Sequence, residues 1–290
     1  MSGEAIALLS ALLWACASVL FAKGAKQLHV VPLNLIRCVI AALFFWSLLP
    51  FFGGLQAVAA IPLDQWFWLF LSVVMLLIVG DILYFRAMDL AGVSWAMPVA
   101  SINPLWAVLL AAIFVDEPLS WTLLAGAVLV IVGLVLVGRS GNVQEAVGRR
   151  QQRIGLALAL AASLAWGIGQ VVLKPATAGL ESVVANSVRQ PMAVLLMLAL
   201  SLARGKRGEV RQLDRRSWLV IVVGSLVGTG FGSLLFVLSI QMIGAGRTAV
   251  LTATAPLMAI PLAVLWLGER PNRWTLLGAL LAMAGIVLVA

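Results

Sequence analysis

Apolar residues fill this chain in long runs, and the polar residues gather in the short breaks between them. Read for helical length, the runs predict helices at 5–22, 33–52, 66–88, 94–115, 120–138, 154–174, 183–203, 217–243, 247–267 and 273–289. The breaks carry stop signals of their own, such as Pro32, Gly53-Gly54, Pro118 and Pro271. About 20 apolar residues of helix cross the roughly 30 Å of a hydrocarbon layer, so runs of this length are candidate spans. Unpaired backbone is intolerable in lipid, and the polar alternation of a barrel strand is absent. The runs are therefore expected to be helices.

Composition sharpens this to an all-α integral membrane protein, since 63% of residues are apolar, 10% are charged and the mean hydropathy is +1.11. Almost nothing remains for a soluble domain. The net charge of +8 sits between the apolar runs, which points to membrane lipids as neighbours and away from nucleic acid. Cys16 and Cys38 both fall inside apolar runs, where cysteine behaves as a small hydrophobe. Residues 1–22 have neither a basic leader nor a small-residue cleavage site, so the first run is expected to stay as a helix.

The stretch Gly80–Glu117 is written a second time as Gly232–Glu269. At the same offset of 152, Trp14 falls on Trp166, Asn34 on Asn186, Arg37 on Arg189, Gly92 on Gly244 and Pro104 on Pro256. The expected organisation is a five-helix unit over 1–138, a cytoplasmic linker over 139–153 and a second five-helix unit over 154–290. An odd number of crossings per unit turns the second copy upside down. The connections opposite the termini hold fifteen of the 19 Lys and Arg residues. The terminal side holds Lys174 and Arg247, and Arg37 and Arg189 lie inside helices. The basic side is thus expected to be cytoplasmic, with both termini outside. Inverted repeats are a recurring build of secondary transporters, which take a small-molecule substrate near the midplane between the copies.

The ten apolar runs, the duplicated unit, the Trp late in the first helix of each copy, the mid-helix Pro and the closing Asp116-Glu117-Pro118 or Gly268-Glu269-Arg270 resemble the drug/metabolite transporter superfamily. The EamA-type ten-helix exporters match over the whole chain. That resemblance implies a multi-pass protein of a bacterial-type inner membrane and an outward direction of transport. Members move amino acids, other metabolites, nucleotide sugars or drugs. The aromatic positions and the lack of a charged cluster resemble the amino-acid exporters of the YddG kind more than the phosphate-carrying members.

Several residues stand out as candidates, each with a plainer alternative. Asp81, whose copy is Ser233, is a carboxylate within a span, a placement that costs about 2.5–3.5 kcal/mol on insertion scales. It could bind a substrate amine or a proton, or it could be an acid capped by neighbours. Tyr84 and Met88 share its helical face, as Phe236 shares the face of Ser233; these could line a cavity or anchor at the interface. Trp14 with Ser18 and Trp166 with Gln170 place a polar group one turn after each indole, either in the cavity or in an aromatic belt.

Pro98, Ser101, Asn103 and Pro104 interrupt the fourth run, and Thr252, Thr254, Pro256 and Pro261 the ninth; the prolines are candidate hinges or static kinks, and Ser101, Asn103 and Thr252, like Ser233, are candidate substrate-cavity residues. Arg37 and Arg189 are read as snorkelling or gate-latching residues, with attraction of a carboxylate as the other option. Glu117 and Glu269 are read as structural or gate ion-pair residues at helix ends.

No catalytic machinery is legible. His29 is the single histidine, and there is no HExxH, no GxSxG and no phosphate-binding glycine loop. No enzyme activity, cofactor, metal or ATP site is expected. The reading is a secondary transporter that exports small amphipathic metabolites, foremost aromatic or other neutral amino acids, by alternating access. Its cavity is expected among helices one, three, four, six, eight and nine, and a monomer already contains both halves. The alternatives are a lipid or amphiphile flippase or multidrug exporter and, from another class, a membrane enzyme or assembly factor without transport.

Overall fold

The computed structural model describes residues 1–24, 30–138, 149–204, 214–267 and 273–290, and among these the chain is helical with no strand. His29, Glu269 and the greater part of the predicted linker lie outside the described residues. The helices are α1 (Gly3–Gly24), α2 (Val30–Leu48), α3 (Leu63–Ala91), α4a (Val93–Ala100), α4b (Asn103–Phe114), α5 (Trp121–Gly138) and α6 (Arg149–Ala176). Then follow α7 (Ser182–Arg204), α8 (Arg215–Ile243), α9a (Ala245–Thr252), α9b (Ala255–Leu267) and α10 (Arg273–Val289). By length and composition, seven stretches among the described residues can each cross a membrane, and α5 and α10 are shorter apolar helices.

A helix covers every predicted run, but three features depart from simple spans. The fourth and ninth runs are each broken in two, at Ser101-Ile102 and at Ala253-Thr254. Inside α3 the backbone widens to i→i+5 bonding over Val74–Val79, and inside α8 over Leu226–Gly232. After α2 the chain turns through Gly53 and Gly54, both at positive φ, where a side chain would be strained.

Helices that occupy the same place in the two halves of the sequence run antiparallel where they touch. Gly126 of α5 packs against Gly285 of α10, and Gly133 against Gly278; a Cβ at any of the four would strike the facing backbone. With little hydrophobic force between helices in lipid, such close backbone approach is what holds them together. Because Gly126 and Gly278 are 152 apart, as are Gly133 and Gly285, the contact exchanges with itself, the pattern of a two-fold axis. In the same way Trp46 Nε1 of α2 donates to Ser187 O of α7 at 2.9 Å, while Cys38 and Ala193 meet in a cluster further along.

The first helix of each half lies on the other half. α1 runs antiparallel to α8, with Gly3 against Ile243, Ser10 Oγ donating to Gly232 O at 2.9 Å, and Phe21 against Gly224. α6 runs antiparallel to α3, with Gly155 against Ala91 and Gly169 against Leu76. These two pairs bring the predicted site residues of the two halves together.

Candidate functional site

The widened turns of α3 and α8 leave a carbonyl without its usual ladder partner. In each case an indole from the other half supplies the donor. Trp14 Nε1 donates to Gly228 O at 3.0 Å, and Trp166 Nε1 to Leu76 O at 3.1 Å. Glycine makes room: a Cβ on Gly232 would fall on the Trp14 ring, and one on Gly80 on the Trp166 ring. Each indole then packs on an aromatic of the same foreign helix, Trp14 with Phe236 and Trp166 with Tyr84, both at 5.1 Å between ring centres. Four predicted site residues therefore form two equivalent aromatic pairs across the halves.

Asp81 sits one step from the second pair and breaks the equivalence. Its Oδ1 accepts from Trp166 Nε1 at 3.3 Å, and its Oδ2 from Asn34 Nδ2 of α2 at 3.2 Å. Asn34 in turn accepts from Arg37 Nη1 at 3.0 Å, Arg37 Nε donates to Thr229 Oγ1 at 3.3 Å, and its guanidinium lies 5.0 Å over the Phe21 ring. The other half repeats the frame without the acid. Arg189 Nη1 donates to Asn186 Oδ1 at 3.1 Å and Nε to Ser72 Oγ at 3.1 Å, and Asn186 Nδ2 reaches Ser233 O at 3.5 Å. Arg189 is only 5% exposed. The snorkelling expectation for these arginines gives way to inward networks, because Asn and hydroxyl partners within reach satisfy the guanidinium inside the bundle.

A cavity of about 710 Å³ reaches Asp81. Its walls come from the start of α2 (Val31, Pro32, Asn34), the second half of α3 (Leu77 to Asp89) and the end of α7 (Met197 to Ser201). Asp81 and Met88 line it. Of the helices expected to form a cavity, only the third does so here; α2 and α7 were not anticipated. Its mouth lies at Arg86 and Asp89, 4.0 Å apart with side chains 67% and 69% exposed.

The opposite ends of the helices are fastened by Glu117. Its Oε1 and Oε2 accept from Ala245 N at 2.7 Å and Gly246 N at 3.0 Å, the free amides at the start of α9a, and Lys174 Nζ lies 3.0 Å from Oε1. A carboxylate suits this position, since helix N-termini leave amides unbonded and carry positive potential. Gly244, at φ +88°, turns the chain there, and a Cβ on it would collide with the Glu117 carboxylate. Arg247, next in sequence to Gly246, pairs with Glu4 of α1 at 3.8 Å.

Comparison with known proteins settles the family. The model of the EamA-like transporter family matches residues 1–139 and 153–290. This chain belongs to the EamA-like transporter family. The fold is also similar to that of a solved crystal structure, which superposes at TM-score 0.80 over 99% of this chain and 97% of its own, at 19% identity. A protein of Archaeoglobus fulgidus named "Uncharacterized transporter" is 26% identical over 98% of this chain and 96% of its own length. One of Streptantibioticus cattleyicolor, named "Probable terminal-alkyne amino-acid exporter", is 28% identical over 65% of this chain and 61% of its own. The protein is thus a multi-pass membrane transporter.

The remaining candidates in this EamA-like chain sit around the two helix breaks or apart from the cavity. Pro104 and Pro256 are near the first residues of α4b and α9b, where a missing N–H costs nothing, whereas Pro98 and Pro261 lie inside helices. Hydroxyls tidy the breaks: Ser101 Oγ donates to Met97 O at 2.8 Å, Thr252 Oγ1 to Thr248 O at 2.7 Å and Thr254 Oγ1 to Leu251 O at 2.6 Å. The Asn103 carbonyl lies against Gly167 of α6. Ser18 donates to Trp14 O at 2.8 Å, and Gln170 is buried with Oε1 unpartnered.

Sequence reasoning passed over Asn34, Lys174 and Gly244 as site residues. The Asn-x-x-Arg spacing shared by Asn34/Arg37 and Asn186/Arg189 was the available signal for the first. Lys174 had none.

Proposed function

We propose that this EamA-like protein is a secondary transporter that exports small amphipathic metabolites, foremost aromatic or other neutral amino acids, across the inner membrane by alternating access. Its ten crossings form two inverted five-helix units, 1–138 and 154–290. The two family matches, the antiparallel run of α2 on α7 and α5 on α10, and the exchanging glycine contacts support that inversion.

The observation that carries the reading is an asymmetry of access. A cavity holding a carboxylate opens among the basic-loop ends of α2, α3 and α7, while Glu117 fastens α9a and Lys174 on the other side. With the basic loops cytoplasmic and both termini outside, this is a state open to the cytoplasm and latched outside. The paired breaks in the fourth and ninth helices, with Pro98, Pro104, Pro256 and Pro261, are where the halves would flex. The amino-acid assignment draws on the distant relative named as an amino-acid exporter and on the aromatic pairs near Asp81.

Purified protein in liposomes tests the function. Counterflow of radiolabelled phenylalanine or tryptophan is expected, and loss of it in Asp81→Asn protein that still folds. Folded wild-type protein that moves no neutral amino acid would remove the substrate assignment.

A further inference from the structure

We infer that the cavity reads the ammonium group of its ligand through Asp81 and leaves a carboxylate unread, so that apolar primary amines without a carboxylate are ligands too. This rests on the transport reading of the same cavity. Among the described residues three charged side chains line it: Asp81, Arg86 and Asp89. Arg86 and Asp89 pair with each other at the mouth and are two-thirds exposed, where water screens them. That leaves Asp81 as the charge at depth.

Its carboxylate has acceptor capacity to spare. Each oxygen takes one bond, from Trp166 or from Asn34, of about four lone-pair sites in all. Among the described residues, a carboxylate on the ligand finds no cation at that depth. The Arg37 guanidinium is engaged by Asn34, Thr229 and the Phe21 ring and is not among the lining residues. Arg189 is held by Ser72 and Asn186. The Asn34 amide gives one N–H to Asp81 and keeps one, and Ser201 adds a hydroxyl to the lining, but both are neutral donors. Arg86 lies five positions along α3 towards the mouth, about 7.5 Å of helix rise from Asp81. An α-amino acid carries both charged groups on one carbon, so binding its ammonium at Asp81 strands its carboxylate among Leu77, Phe85, Met88, Met197 and Leu200. Those side chains suit an aryl or alkyl body instead.

The test is a binding series on the full-length wild-type protein in nanodiscs, read by calorimetry: phenylalanine, its methyl ester, 2-phenylethylamine and N-acetylphenylalanine. The amine and the ester are expected to bind at least as tightly as phenylalanine. N-acetylphenylalanine, which keeps the carboxylate and loses the ammonium, is expected to be weaker by about tenfold to a hundredfold, the range for a lost charge-assisted bond. Asp81→Asn should bring the amine down to the same level, and Asp81→Glu should keep the order of the series; if the Asn variant does not fold, the wild-type series decides alone. Binding of N-acetylphenylalanine as tight as that of the amine overturns the inference. Phenylalanine bound without the amine also overturns it while leaving the transport reading intact; no binding or flux for any of the four sinks both.

Discussion

The Glu117 fastening makes a quantitative prediction. Replacing Glu117 by Gln keeps the shape but leaves one acceptor oxygen for two amides, so one bond to α9a and the ion pair to Lys174 are lost. A hydrogen bond to a charged group contributes about 1.5–3 kcal/mol. The Lys174 side chain is 38% exposed against 9% for Glu117, so screening holds that pair to no more than about 1 kcal/mol. Allowing for the retained bond, the loss is about 2–3 kcal/mol, which shifts the balance between fastened and open by roughly 30-fold to 150-fold. Gly244→Ala should do the same with the carboxylate intact, because its Cβ needs the space Glu117 occupies and φ +88° strains any side chain. Lys174→Ala should give the smallest effect of the three. Hydrogen exchange in nanodiscs reads the effect directly: protection of the Ala245 and Gly246 amides should fall in Glu117→Gln and Gly244→Ala. Unchanged protection together with unchanged flux in both variants would refute the latch.

Three further outcomes follow from the same contacts. Trp166→Phe removes the donor to Leu76 O and to Asp81, so it should lower the thermal midpoint by more than Trp14→Phe, which loses one bond; each unmet buried carbonyl costs about 1–3 kcal/mol, and a midpoint scan in detergent checks the order. Pro104→Ala and Pro256→Ala should cost less than about 1 kcal/mol of stability, since both prolines sit at helix starts, yet slow counterflow if the breaks are hinges; equal rates in a folded double variant would discard the hinge role. In a background without Cys16 and Cys38, a cysteine at Ala178 should label from outside intact cells and one at Arg150 only after permeabilisation, and the reverse pattern would invert the topology.

What the sequence determined here is what depends on composition and periodicity. Runs of apolar residues fix helices because lipid tolerates no unpaired backbone, and a duplicated text fixes which residues must occupy equivalent places. The pairing of Trp14 with Trp166 and of Tyr84 with Phe236 as equivalents was legible for that reason, as was Asp81 as the odd residue out. The offset of 152 states equivalence, however, and not contact.

Only the tertiary structure decided that each Trp reaches into the opposite half, where Gly80 and Gly232 open a place for it beside a widened turn. Packing decided that Arg37 and Arg189 turn inward: each has an Asn three residues back on its own helix, but the hydroxyls that complete the networks, Thr229 and Ser72, come from helices distant in sequence. It likewise put the cavity against α2 and α7, whose apolar walls look the same in sequence as any lipid-facing surface. Glu117 read as a helix-end acid; its ligands are backbone amides of Ala245 and Gly246, which no side-chain pattern announces. Bonds to backbone and the meeting of distant helices leave no periodic trace, so they are set by the folded bundle alone.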